Sequence, residues 1–502
     1  MKVLEIKVLK GPNYWSVRRT KLIQMKLDLE DLEQKPTNLI PGFRERLEKM
    51  FPTMIEHRCS EAVRGGFFMR VDEGTWMGHV IEHIALEIQT LAGMDTGFGR
   101  TRTPEGEQEG VYYVVFSYME EDAGVFAAKS AVRIAEALIA GTEYDLEADI
   151  QEMREIREDT RLGPSTGCIV EEAAKRGIPY IRLNKHSLVQ LGYGVNQKRI
   201  RATIASTTSN IAVDIACDKE ETKLLLEAAE IPVPRGTVIR SEEGMDAAIE
   251  KFGYPLVIKP IDGNHGKGNT TNIINREQAL TAFAAAKEYG RSVIIEKFIT
   301  GFDFRCLVIN NKFICAALRT PASVVGDGKN NIQWLIDETN KDPRRGFGHE
   351  KVLTQITVDQ FTQKMLDDAK YTLETVPAKG ERVMLKPTAN LSTGGTSTDV
   401  TDEVHPANIF MFERIAKIIG LDICGIDIMV SDLRKPVAEN GGAILEVNAA
   451  PGFRMHIDPS EGLPRNVAEP VVDMLFPKGS VGRIPIIAIT GTNGKTTTTR
   501  LT

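Results

Sequence analysis

Two apolar stretches of this sequence each carry an acidic residue in their interior: "CGIDIMV" at 424–430, with Asp427, and "AILEVNAAPGF" at 443–453, with Glu446 and then Asn448. A carboxylate inside an apolar strand is costly to bury unless it is paired or holds a cation. Period two puts Glu446 and Asn448 on one strand face. Asp, Glu and Asn oxygens are hard donors that suit a partly hydrated Mg²⁺ bridging nucleotide phosphates; a structural salt bridge is the alternative. Upstream, "DIACDKEETKLLLEAAEIPVPRG" reads as a helix with Lys219 and Lys223 near its start. "YPLVIKPIDGNHGKGNT" reads as a strand ending on Lys259, then a loop with Gly263, Gly266 and Gly268. Glycines let a backbone approach phosphates closely, and lysines neutralise them. Between these pieces, "VIIEKFITGFDFRCLVIN" reads as strand, short linker, strand. That linker is either an ordinary connection or a source of backbone groups for adenine, which leaves Asp303 free to hydrogen-bond a ribose.

Two further motifs carry chemistry of their own. "GHVIEH" places His79 and His83 one helical turn apart with Glu82 beside them. This is the H-x-x-E-H order in which two His hold Zn²⁺ and the Glu activates water. The alternative is a histidine pair without metal. A third ligand is required, and Glu61, Asp72, Glu87 and Asp95 all stand as candidates. "GFGRTR", with Arg100 and Arg102, offers cations to a substrate carboxylate nearby. At the other end, the apolar run Ile486–Ile489 leads into Gly491, Gly494, Lys495 and Thr496. That is the pattern of a strand feeding a phosphate loop, with Lys and Thr reaching phosphate and Mg²⁺. The segments "GPSTG" (163–167, with Ser165) and "NLSTGGTSTDVTDEVHP" (390–406, with Ser392, Thr393, Gly394 and Gly395) read either as binders of a peptide terminus or as polar turns.

These residues need a scaffold, and the chain is long enough for several. Its 502 residues, 42% hydrophobic and 26% charged, suit two to four globular domains. A net charge of −7 with both signs interspersed argues against a non-specific nucleic-acid binder. No apolar run approaches the ~20 residues of a membrane span, and the start is a strand-like alternation and not a signal peptide. The six cysteines show no metal spacing and read as reduced, mostly buried thiols of a cytoplasmic protein. Residues 1–160 alternate strands ("KVLEIKVL", "GVYYVVFSYM") with amphipathic helices ("TWMGHVIEHIALEIQTLAG", "AGVFAAKSAVRIAEALIAG") and close on a charge-dense linker helix before Gly163-Pro164. The expected class is therefore α/β and α+β multidomain. It has an N-terminal domain at 1–160, a long domain at 161–480 and a fragment of a third at 481–502.

In their order, the lysines, "VIKP", the Gly-rich loop, "EKFITGFD", "GIDIM" and "EVNAAPG" resemble the ATP-grasp fold. The resemblance implies ATP and Mg²⁺, and the joining of a carboxylate to an amine through an acylphosphate. It assigns Lys219 and Lys259 to phosphates, and Glu296, Lys297 and Ile299 to an adenine hinge. Asp303 goes to the ribose, and Asp427, Glu446 and Asn448 to Mg²⁺. Many relatives have an arginine two residues before the first metal aspartate, where this chain has Gly425; Arg305 or Arg319 would take that role. With the closing "GTNGKTTTTRL", the domain order is similar to the cyanophycin synthetase family, whose third domain resembles Mur ligases. "GPNYWSVRR", "LGPSTG", "QLGYGVNQKRI", "DGNHGKG", "TANLSTGGT" and "NAAPGFRMH" extend the match. That family implies addition of L-aspartate to a polymer primer in the ATP-grasp site and of L-arginine in the Mur-like site. A homo-oligomer, with no nucleic-acid or membrane partner, goes with it. The short phosphate loop lacks the domain that would follow it, so Lys495 is expected to be idle and the chain to keep at most the aspartate-adding half. The N-terminal motif would then clip polymer into primers. Another ATP-grasp peptide ligase and a non-catalytic polymer scaffold are the competing readings.

Overall fold

The computed structural model describes residues 1–17, 21–104, 106, 108–261, 268–290, 292–346, 351–480 and 482–502. It divides into two compact units, Met1–Arg161 and Leu162–Thr502. The mixed α and β character expected from the sequence is what forms.

The first unit is built on a four-stranded antiparallel sheet in the order Lys2–Leu9, Leu22–Asp28, Val111–Ser117, Gly99–Arg102. Leu22–Asp28 lies inside the sheet and is buried along most of its length, while Lys2–Leu9 is an edge strand with a largely exposed face. Helices Met77–Leu91 and Glu121–Ala140 bury their apolar residues in one core, with Val80, Ile84, Ala131 and Ile134 fully inside. Asp145 caps the charged helix Leu146–Thr160 by accepting from Ala148 N–H.

The second unit holds two larger sheets. One runs Thr270–Ile273, Leu256–Pro260, Val293–Lys297, Gly236–Ile239, all antiparallel, with helices Glu242–Phe252 and Arg276–Lys287 packed on one side. The other has five antiparallel strands in the order Thr396–Asp399, Lys312–Thr320, Phe302–Ile309, Ile423–Val430, Ala443–Asn448. Phe304, Cys306, Ile426 and Ile428 face one way and pack with Phe412 and Ile415 of helix Pro406–Ile419. Period two therefore turns Asp303, Arg305 and Asp427 to the opposite face. A separate small core, with Val324, Ile336 and Leu366, supports an insertion between 320 and 390.

Two local readings are corrected. The single helix expected from 214 onward is two, Asn210–Cys217 and Lys219–Ala228. Asp218 breaks it because its side chain accepts from Glu220 and Glu221 N–H, starting a new helix at Lys219. The strand expected at 486–489 does not form. No strand pairs with this run among the described residues, and Ile486 and Ile487 stand 74% and 67% exposed.

Candidate functional site

Leu256 and Ile258 point into the core of their sheet, which turns Lys259 to the other side. The same alternation buries Val293 and Ile295 and turns Glu296 toward Lys259. Glu296 accepts from Lys259 at 2.6 Å and from Lys223 at 3.1 Å. Burial would raise this carboxyl, but the two ammonium groups overcome it and hold Glu296 below the usual range. Lys219, one turn before Lys223, lies 4.0 Å from Glu446.

On the five-stranded sheet, Arg305, Asp427 and Glu446 are cross-strand partners in one row. The ladder register shifts directly after Asp427. Arg305 grips Asp427 with two donors, and Arg319 reaches the same carboxylate at 3.1 Å. Burial pushes Asp427 up, and the two guanidiniums outweigh it and hold it ionised. Arg319 also donates to Asp303 Oδ1 at 2.6 Å, so Asp303 lines the cleft already engaged by a guanidinium. Burial leaves the Asp303 carboxyl above its ordinary value despite that bond. Gly425, two residues before Asp427, has a reason to be glycine. A Cβ there would lie 2.6 Å from the Pro451 ring and 3.3 Å from Arg305 Nη1. Arg305 thus occupies the space beside residue 425 from a neighbouring strand.

Lys219, Lys259, Asp303, Arg305, Arg319, Asp427, Glu446 and Asn448 all line one cleft of about 1580 Å³, together with Ser165 and Ser392. Ser165 Oγ accepts from Phe453 N–H at 2.9 Å, which leaves its own proton to donate. Asn448 lines the cleft, and its Nδ2 is buried with no partner among the described residues. Hard oxygens from Asp427, Glu446 and Asn448 fit Mg²⁺ in kind.

Other expected residues stand elsewhere. The Lys297 ammonium donates to the Tyr254 carbonyl at 2.7 Å and does not line the cleft. Ile299 lies in the turn after that strand and does not line it either. Thr393, Gly394 and Gly395 shape the loop behind Ser392: Thr393 Oγ1 donates to Asn390 O, and Arg345 donates to Gly394 O. Gly268 has φ +69°, and a Cβ there would meet the Tyr289 ring at 2.7 Å. Gly263 and Gly266 lie outside the described residues. Gly494, at φ +76°, precedes the helix Lys495–Leu501, which carries Thr496. Lys495 Nζ donates to Gly491 O at 2.5 Å, folded onto its own loop, and the whole segment is exposed.

In the first unit, helix Met77–Leu91 places His79, Glu82, His83 and Glu87 along one face. Sγ of Cys59 lies 3.2 Å from His79 Nε2, and donor atoms of Cys59, His79 and His83 all fall within 4.8 Å of one another. None of the four carboxylates considered as third ligand joins them; Cys59 does. Glu87 instead bonds His57 Nε2 at 2.8 Å and Thr53. Asp72 pairs with Arg44 at 3.4 Å, and Glu61 and Asp95 are exposed. The cysteines show no metal spacing in sequence, yet Cys59 joins the two histidines in space. Its separation of twenty residues from His79 hid it, because the approach is made by the short 3-10 turn Cys59–Glu61 and not by the α-helix that carries the histidines. Burial lowers His79 to about 4, with Arg70 adding to the effect, so its imidazole is neutral and able to ligate. Burial pushes Glu82 up to about 7 against its bond from Thr101 Oγ1 at 2.7 Å. Gly99 makes room for that carboxyl, which a Cβ would meet at 2.3 Å. A pocket of about 720 Å³ opens on these groups and is also lined by Arg100.

Known proteins resemble parts of both units. The family described as "Cyanophycin synthase-like N-terminal domain" matches residues 24–140, and the ATP-grasp domain matches 224–312. Proteins called cyanophycin synthetase, from Trichormus variabilis and from a Synechocystis species, are each 53% identical to this chain across its whole length. The chain is similar to the cyanophycin synthetases over the length it spans. It spans 56% and 58% of those two relatives. A crystal structure of a bifunctional glutathione synthetase from Pasteurella multocida matches with a TM-score of 0.53 at 19% identity, covering 91% of this chain and 82% of that one. That likeness shows the fold.

Four participants escaped sequence reasoning. Lys223 was visible as a helical neighbour of Lys219, yet only the packing shows that it bonds Glu296. Cys59 and His57 reach the histidine pair across an irregular segment that has no periodicity to read. Arg454 lines the cleft from a turn after the last strand.

Proposed function

We propose that the second unit is the aspartate-adding ligase of a cyanophycin synthetase, activating the C-terminal carboxylate of a poly-aspartate primer and joining L-aspartate to it. The cleft carries this reading: two lysines, three hard oxygen donors and two guanidiniums converge in one cavity with Ser165 and Ser392. Lys219 and Lys259 would hold ATP phosphates, and Asp427, Glu446 and Asn448 would hold Mg²⁺, which when bound offsets phosphate charge. Arg305 and Arg319 sit where negative charge develops on the activated carboxylate, an arrangement that lowers a barrier without reorganisation. Ser165 and Ser392 would orient the peptide terminus. No side chain needs to act as nucleophile; the site positions groups and excludes water. Arginine addition has no support in residues 491–502, where Lys495 is satisfied by its own loop. Six thiols fit a cytoplasmic setting; the homo-oligomer rests on the family resemblance alone.

The test is phosphate release from ATP with Mg²⁺, aspartate and a short primer, in wild type and Lys259→Ala, with and without arginine. Release that needs aspartate and primer, disappears in the variant and ignores arginine is expected. Tight nucleotide binding without release would instead favour a polymer-binding scaffold.

A second reading rests on its own observation, the Cys59, His79 and His83 cluster beside Glu82. We propose that the first unit holds Zn²⁺ there, which when bound would acidify a water, with Glu82 taking its proton. Cleavage of the polymer into primers would follow.

A further inference from the structure

Five basic side chains among the described residues line the cleft: Lys219, Lys259, Arg305, Arg319 and Arg454. Four of them face a carboxylate of the chain. Arg454 does not. It is 9% exposed, and its described hydrogen bond runs from Nη1 to the Lys351 carbonyl at 3.2 Å. Burial alone lowers its guanidinium, with no carboxylate opposing the effect. A buried cation without a counter-charge is expensive, and proteins keep one where a partner arrives later.

Its position narrows the partner. Arg454 follows Phe453, whose N–H donates to Ser165, and Ser165, Leu391, Ser392 and Met455 line the same cleft. The phosphate-facing lysines and the Asp427 row already have partners for the nucleotide and the activated carboxylate. The remaining anion is on the amine-bearing substrate. We propose that Arg454 is a specificity residue that binds a carboxylate of the incoming dicarboxylic amino acid. Its planar fork matches a carboxylate with two donors, and the Lys351 carbonyl fixes the fork's direction. The inference rests on the ligase reading for which substrate enters, but not for whether it binds.

The experiment is calorimetric titration of aspartate into the full chain loaded with Mg²⁺ and a non-hydrolysable ATP analogue. Wild type is compared with Arg454→Gln and Arg454→Lys, with thermal unfolding run in parallel. Loss of a charge-assisted pair predicts at least about a tenfold weaker aspartate affinity in Arg454→Gln and a smaller loss in Arg454→Lys. Nucleotide affinity should hold, and the unfolding midpoint should hold or rise, because an uncompensated buried charge has gone. A structural brace would lower the midpoint and leave aspartate affinity alone, which overturns the proposal. On wild type, asparagine and isoasparagine identify which carboxylate is held; binding of both as tightly as aspartate overturns it too. So does wild type that binds no aspartate, or a variant that weakens primer binding instead. Aspartate binding lost in Arg454→Gln, in a protein that releases no phosphate, sinks the ligase reading while this one stands.

Discussion

Arg305 and Asp427 face each other across adjacent antiparallel strands, and Arg305 clasps the carboxylate with two donors inside the cleft wall. The pair does more than stabilise the sheet, since Asp427 is also a proposed metal ligand. Arg319 shares its negative charge, so the carboxylate is held ionised before any cation arrives. Arg305→Gln should lower phosphate release on the order of 10²–10³-fold. Nucleotide affinity, read by fluorescent-analogue displacement, should change far less. Arg305→Lys should recover only part of the rate, because an ammonium cannot reproduce the two-pronged contact.

Glu296 gives a pH signature. Its folded-state value lies below its ordinary one, so its contribution to stability is present above the unfolded pKa of about 4.3 and is lost as pH falls through the folded value. Glu296→Gln should therefore destabilise the protein at pH 7 by about 1–3 kcal/mol. The gap to wild type should close toward pH 3 in urea titrations. A gap that stays constant with pH would mean that packing, not the lysine pairs, is what the substitution removes.

Zinc content divides the roles in the first unit. Cys59→Ser and His79→Ala should each bind far less zinc than wild type after equilibration and desalting. Glu82→Gln should keep its zinc and lose polymer cleavage. Equal zinc in all four proteins would place the metal elsewhere.

Lys495 is exposed and bonded to its own loop carbonyls. Lys495→Ala should leave aspartate-dependent phosphate release within about twofold of wild type, where Lys259→Ala abolishes it. A comparable loss in both would show that residues 491–502 take part in turnover.

Much of this was written in local pattern. Period-two alternation alone placed Glu446 and Asn448 on one face, because a pleated strand leaves no other choice. The H-x-x-E-H spacing put two imidazoles and a carboxylate on one helical face for the same kind of reason, the fixed 3.6-residue turn. What sequence could not supply is who stands opposite. Asp303 reads as unengaged until strand register brings Arg319 against it. Gly425 reads as a missing arginine until Arg305 is seen beside its Cα. Cys59 reaches His79 through a short 3-10 turn, and that Arg454 faces no carboxylate among the described residues is visible only once the cleft has formed. Periodicity is a property of one element and is encoded in it. Pairing across elements depends on register, packing and burial, which exist only once the chain has closed on itself.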